Sequence, residues 1–234
     1  MELGFTKEKV EEIINWTLPG LTMYYRDTQL ETEVIGKYKI GEVFRSQTFV
    51  DVSGFAGKLT KNCRFIFASS KAAPLYKINP ATAKWQLHSI NANSYFKVLD
   101  IYQKEGKTQI FCLHIPASGI DLFKISEFKI GENENDIEKQ IIEKARISLD
   151  QKLNLETVKA LEENEWLKRT DFPIGLDKRN DFFSLYPTEG IFKEGTPLYS
   201  AIRKMTNDIS DINVPIIKLE NNENKKSFWK RLFK

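Results

Sequence analysis

The sequence is poor in the features that would name a compartment or a chemistry outright. Only two of its 234 residues are cysteine, Cys63 and Cys112, and each sits in an apolar run. That usage argues against a disulfide-stapled secreted domain and for two reduced, buried thiols. No stretch approaches 18 uncharged apolar residues, so no membrane-spanning helix is expected. The opening "MELGFTKEKVEEIINW" has no apolar leader core, which points to a cytoplasmic protein. There are only two histidines, His88 and His114, and no CxxC or HxxxH clip, so neither a metal nor a cofactor is expected. A net excess of either charge is also missing from the body. Residues 225–234 hold five basic and no acidic side chains, so the net +3 would be −2 without them. A folded body without a basic stripe argues against a nucleic-acid partner.

What is present is enough apolar material for a sizeable core, at 41% of residues with 16 Phe. A helix is expected first. Thr6 is a good N-cap, Phe5 and Val10 suit a hydrophobic staple, and Val10, Ile13, Ile14 and Thr17 share a face before "LPG" stops the run. From residue 21 to about 130 the period becomes two. "EVIGKYKI", "EVFRSQTFVDV", "CRFIFAS", "KWQLHSI", "YFKVLDIYQ", "TQIFCLHIP" and "IDLFKISEF" read as strands, with a hairpin turn at Gly106. Helical spacing returns in "NENDIEKQIIEKARISLDQKL", with Ile137, Ile141, Ala145 and Leu149 four apart. It continues in "NLETVKALEENEWLKR", N-capped by Asn154. Residues 170–197 read as a long ordered loop pinned by aromatics, "PLYSAIRKMTNDI" as a last helix, and "VPIIKLE" as an edge strand.

The expected fold is therefore α+β: an N-terminal helix, a β-rich antiparallel body forming a curved sheet, barrel or sandwich, then a C-terminal helical layer and an amphipathic tail. The expected division is 1–131 for the β-rich domain, 132–217 for the helical and loop layer, and 218–234 for a polar tether and terminal helix. The 27 Lys against 8 Arg suggest a low-GC bacterial or phage source.

Several groupings invite chemistry. Cys112 and His114, two apart on a strand, share a face and suggest a nucleophile and base or two metal ligands. With Cys63 and His88 they make a four-ligand inventory. A buried strand carrying a thiol and a satisfied imidazole is the plainer account. "SGFAGKLT" at 53–60 lacks the spacing of a phosphate loop and reads as a hairpin turn. Asp100, Glu105 and Lys107 mimic a nuclease order, but two of them belong to a turn. Asp171, Asp177, Arg179 and Asp181 lie in the aromatic loop, where short acids favour turns. If a small-ligand pocket exists, that loop over the sheet is the place for it.

The tail "KKSFWKRLFK" is the most distinctive stretch. At 100° per residue Phe228, Trp229, Leu232 and Phe233 gather on one face, with Lys230, Arg231 and Lys234 opposite. This pattern is similar to the short C-terminal membrane-targeting helices of MinD-type and FtsA-type bacterial proteins, a resemblance confined to about ten residues. It implies docking through Phe228, Trp229, Lys230, Arg231, Leu232 and Phe233 to an anionic membrane surface or a protein partner. Residue patterns alone thus favour a cytoplasmic, non-enzymatic binding or adaptor protein docked to a membrane surface or a partner protein, with packing of the tail on its own domain as the plainer account. A hydrolase or nuclease with its site in the β-rich body is the alternative.

Overall fold

The computed structural model describes residues 5–124, 137–186, 190–208 and 216–217. The chain is α+β. Helix α1 (Lys7–Thr17) starts where Thr6 Oγ1 accepts from Lys9 N at 3.3 Å, and it buries Ile13 and Thr17. Strand β1 (Thr22–Thr28) and a single helical turn, α2 (Thr32–Ile35), follow. Next come β2 (Val43–Ser46), β3 (Val50–Ser53), β4 (Cys63–Ser69), β5 (Leu87–Ile90), β6 (Ser94–Lys104) and β7 (Lys107–Ile115). The C-terminal part holds α3 (Ile120–Lys124), α4 (Ile137–Lys152), α5 (Asn164–Thr170), β8 (Ile191–Phe192), α6 (Thr196–Thr206) and β9 (Ile216–Ile217).

Seven strands form one open sheet in the order β2-β6-β7-β4-β1-β3-β5, and β8 and β9 pair separately. The sheet is mixed and not purely antiparallel, because β4 and β7 run parallel. The expected β6–β7 hairpin is present. Glu105 and Gly106 both take positive φ between Lys104 and Lys107, as a tight two-residue turn requires.

Strand order and connection length together force curvature. β2 and β3 are separated by residues 47–49, yet lie five places apart in the sheet. Five strand spacings across a flat sheet would be about 24 Å. The chain from Ser46 to Val50 reaches only about 14 Å. The sheet therefore curls until its two ends approach. Its inner face collects Phe44, Val50, Val52, Phe65, Phe67 and Phe96 into one core. The outer face packs on Ile13 of α1, Leu122 and Phe123 of α3, and Ala145 and Leu149 of α4. β4 lies at the centre and is buried at every residue, which explains its unbroken apolar run.

Several expectations need correction. Residues 33–40 form α2 and a turn in place of a strand, and residues 120–124 form α3. The run 42–52 is two strands, and β1 is a strand that none of the expected runs covers. Residues 54–62 do not close a hairpin, because β1 lies between β3 and β4. The second acidic helix is shorter than expected: a 3-10 turn at Lys159–Glu162, then α5. The expected boundary at 131/132 falls outside the described residues, and the one at 217/218 falls where the described residues end.

One ion pair ties β1 to β4. Arg64 Nη2 donates to Asp27 Oδ2 at 2.9 Å, and Asp27 also accepts from Thr60 N at 2.7 Å. Both side chains are under a tenth exposed. Asp27→Leu leaves Arg64 buried without its counter-charge and should cost about 3–5 kcal/mol in urea unfolding. A loss below about 1 kcal/mol would show that the pair does not hold β1 in place.

Candidate active site

The groupings picked out in the sequence separate in space. Cys63 and Cys112 are free and wholly buried, and burial raises both thiols, Cys63 to about 12. Neither is a thiolate nucleophile. His114 lies against Ser69, with Oγ and Nδ1 2.8 Å apart, and between the rings of Trp16 and Phe96. Burial drives its pKa down to about 3, so it is a neutral core imidazole. Among the described residues no three His, Cys, Asp or Glu side chains are grouped to hold a metal.

Asp100 is paired with Arg146 at 2.7 Å, while Glu105 sits in the hairpin turn, so the nuclease order does not converge. Asp177 shapes its own loop by accepting from Arg179 N at 2.8 Å and Asp181 N at 3.0 Å. The aromatic loop does line a cleft of about 480 Å³, with Phe182, Phe183 and Leu185 facing Val43, Phe44 and Lys124. The tail residues Phe228, Trp229, Lys230, Arg231, Leu232 and Phe233 lie outside the described residues.

The second histidine is in a different setting. His88 is on β5, the edge strand, and its register with β3 puts it opposite Val52. The β1–β3 register puts Arg26 opposite Val52 from the other side. Arg26, Val52 and His88 thus form one row across the sheet on its inner face. The His88 ring is held between Tyr24, at 4.6 Å between centroids, and Tyr76, at 5.3 Å.

Its Nδ1 lies 2.8 Å from the carbonyl of Gln86, which can only accept, so Nδ1 carries the hydrogen. Gln86 itself takes the left-handed conformation, at φ 46 and ψ 50, where the 3-10 turn Pro80–Trp85 ends and β5 begins. Among the described residues no group hydrogen-bonds Nε2, and His88 as a whole is 9% exposed. Burial lowers the pKa of the ring, opposed by the Gln86 hydrogen bond and assisted by Lys77. At neutral pH His88 therefore presents a fixed tautomer whose Nε2 lone pair has no hydrogen-bond partner among the described residues. That is the arrangement a general base needs.

Sequence reading had His88 only in a ligand inventory. Its orienting carbonyl and flanking tyrosines come from separate segments, and no spacing rule reports them.

Neither a family model nor a curated protein matches this chain in sequence. Solved structures do resemble part of it. The Vis toxin of Vibrio splendidus, an ADP-ribosyltransferase, is 16% identical with a TM-score of 0.34, over 43% of this chain and 51% of that one. The ADP-ribosyltransferase HopU1 of Pseudomonas syringae is 15% identical with a TM-score of 0.35, over 41% and 45%. Exoenzyme S of Pseudomonas aeruginosa, solved with human 14-3-3 protein beta and bound to carba-NAD, is 12% identical with a TM-score of 0.35, over 41% and 49%. The chain spans about half the length of these structures.

The reading as a non-enzymatic, protein-binding adaptor is corrected here. Several of the solved structures that resemble part of this chain are ADP-ribosyltransferases. The tail that suggested an adaptor lies outside the described residues.

The buried histidine on β7 makes a separate pH test. The folded ring of His114 resists a proton down to about pH 3, while the unfolded chain takes one near its ordinary 6.5. Stability should therefore fall as the pH drops from about 6.5 toward 3. His114→Leu should flatten that part of the curve of unfolding free energy against pH. An unchanged slope would refute the assignment.

Proposed function

We propose that this chain is an enzyme with its site on the β1–β3–β5 face, and that His88 is its general base. The observation that carries the reading is the tautomer lock at His88: Nδ1–H tied to the Gln86 carbonyl and Nε2 left bare. The reaction to test first is ADP-ribosyl transfer from NAD, because that activity is named for the solved structures above. Those likenesses choose the assay; the chain's own geometry at His88 supplies the base. In such a transfer the bond from the ribose anomeric carbon to nicotinamide breaks and a bond from that carbon to an acceptor forms. Nicotinamide leaves neutral, and the acceptor proton passes to His88 Nε2.

We also propose a protein partner for the enzyme, with the tail residues Phe228–Phe233 as its contact. An anionic membrane is the other surface those residues suit, and a cytoplasmic location fits either.

His88→Gln should reduce NAD turnover by about 100-fold or more, as loss of a positioned base does. Removing the stacked ring should cost only about 1 kcal/mol in stability. The His88 pKa lies below its ordinary value, so the base form dominates at neutral pH. Native turnover should be flat from about pH 7 to 8 and fall only on an acid limb below about 6.5. Turnover unaffected by the substitution, or rising toward acid pH, would overturn the assignment.

A further inference from the structure

The two ends of the open sheet are finished differently. At the β5 end, Ala73 N donates to Ser89 O at 2.9 Å and Ser89 N to Ala73 O at 3.0 Å, so the last strand is capped by a backbone pair. At the β2 end, no described strand pairs with the far edge. The ladder with β6 fixes which backbone groups turn outward there. Val98 N donates to Glu42 O at 2.9 Å, and the register then sets Phe44 against Phe96 and Ser46 against Ser94. Bonded pairs alternate along an antiparallel ladder, so Glu42, Phe44 and Ser46 turn their backbone groups to β6. Val43 and Arg45 turn theirs to the open edge.

The aromatic loop covers one of these two positions. Arg45 Nε donates to Ser184 O at 2.6 Å. Gly175 turns at φ +79 against the strand, where a Cβ would lie 3.1 Å from Arg45 O and 2.5 Å from Phe44 Cδ2. Val43 is left outside this cover. It is half-buried and lines the cleft of about 480 Å³. Among the described residues nothing on the open side hydrogen-bonds its N–H or C=O.

The cleft also offers apolar surface and charge. Phe182, Phe183 and Leu185 form its loop wall, and Glu42 and Lys124 stand at it, both exposed. Neither of these two charges has an ion-pair partner among the described residues. An acid and a base that share a cleft without pairing leave two opposite charges for whatever enters it.

We infer that the open edge at Val43 is a docking site for a short extended segment of a protein partner, added to the sheet beside β2. The segment carries an apolar residue with a basic residue on one side and an acidic residue on the other. A strand laid about 4.8 Å from β2 brings the N–H and C=O of one residue to those of Val43. The apolar side chain meets the wall of Phe182, Phe183 and Leu185, the base meets Glu42, and the acid meets Lys124. β2 is four residues long, and the close approach of Gly175 prevents pairing at Arg45, so only a short segment fits. The same restriction guards the edge against open-ended growth between copies of the chain. This site stands apart from the reading of His88 and does not depend on it.

The test uses the full chain and two blocked tripeptides, acetyl-Lys-Leu-Glu-amide and acetyl-Glu-Leu-Lys-amide, which cover the two strand directions. One of them should bind, with amide NMR shifts centred on Val43. Methylating the leucine nitrogen of that peptide removes its donor to Val43 O and should weaken binding about tenfold. Glu42→Gln or Lys124→Gln should weaken it about two- to fivefold, and added salt should do the same. Val43→Pro deletes the outward N–H at an edge position, where a sheet tolerates proline, and should abolish binding. The methylated peptide gives the same readout without requiring any variant to fold. Absence of a shift at Val43 with either peptide, equal binding of the methylated and unmethylated forms, or indifference to both charge substitutions overturns the inference. Self-association of the native chain that Val43→Pro abolishes gives the edge to a second copy and overturns it as well.

Discussion

Two neighbouring side chains on one strand organise the loops on both faces of the sheet. Because side chains alternate along a strand, Arg26 and Asp27 of β1 point to opposite sides. Arg26 meets the carbonyls of Thr170 and Phe172, and Asp27 meets Arg64 and Thr60. The inner face is thereby tied to the segment after α5, and the outer face to the loop before β4. β1 lies between β4 and β3, so both ties act near the middle of the curled sheet. A one-residue slip of β1 would exchange the two charges between faces and break both sets of contacts at once.

Much of the architecture is legible in residue patterns, where local chemistry and final environment agree. α1 follows from its cap and apolar stripe, the β6–β7 hairpin from its turn, and β4 from its apolar run. The errors have physical causes. Residues 33–40 alternate like a strand, but alternation over so few residues also suits one turn of helix. The run 42–52 has no Gly or Pro to mark the break between β2 and β3, which comes from the curl of the whole sheet. β1 carries Arg26 and Asp27 side by side, a pair that looks like an exposed turn until both faces are seen to be covered.

The candidate site was the least legible part. The tail 225–234 stood out because its charges and aromatics are contiguous in the chain. The chemistry of the body is dispersed: one imidazole on β5, its orienting carbonyl at Gln86, and rings from Tyr24 and Tyr76. His88 and His114 show how little residue identity decides. Both are strand histidines with lowered pKa, yet one is shut between Ser69, Trp16 and Phe96, and the other keeps a bare nitrogen at the edge of the sheet.

The parallel pairing of β4 with β7 bears on how the chain is made. When β4 leaves the ribosome, β1 is already available on one side, but its other neighbour is still to be synthesised beyond β5 and β6. Until β7 arrives, "CRFIFAS" presents an open edge of apolar residues, the kind of segment that recruits strands from other chains. Arg64 lies within that segment and faces Asp27 on β1. The charge that fastens the finished sheet thus also interrupts its most aggregation-prone run, since another chain pairing with this strand would have to accommodate a buried guanidinium.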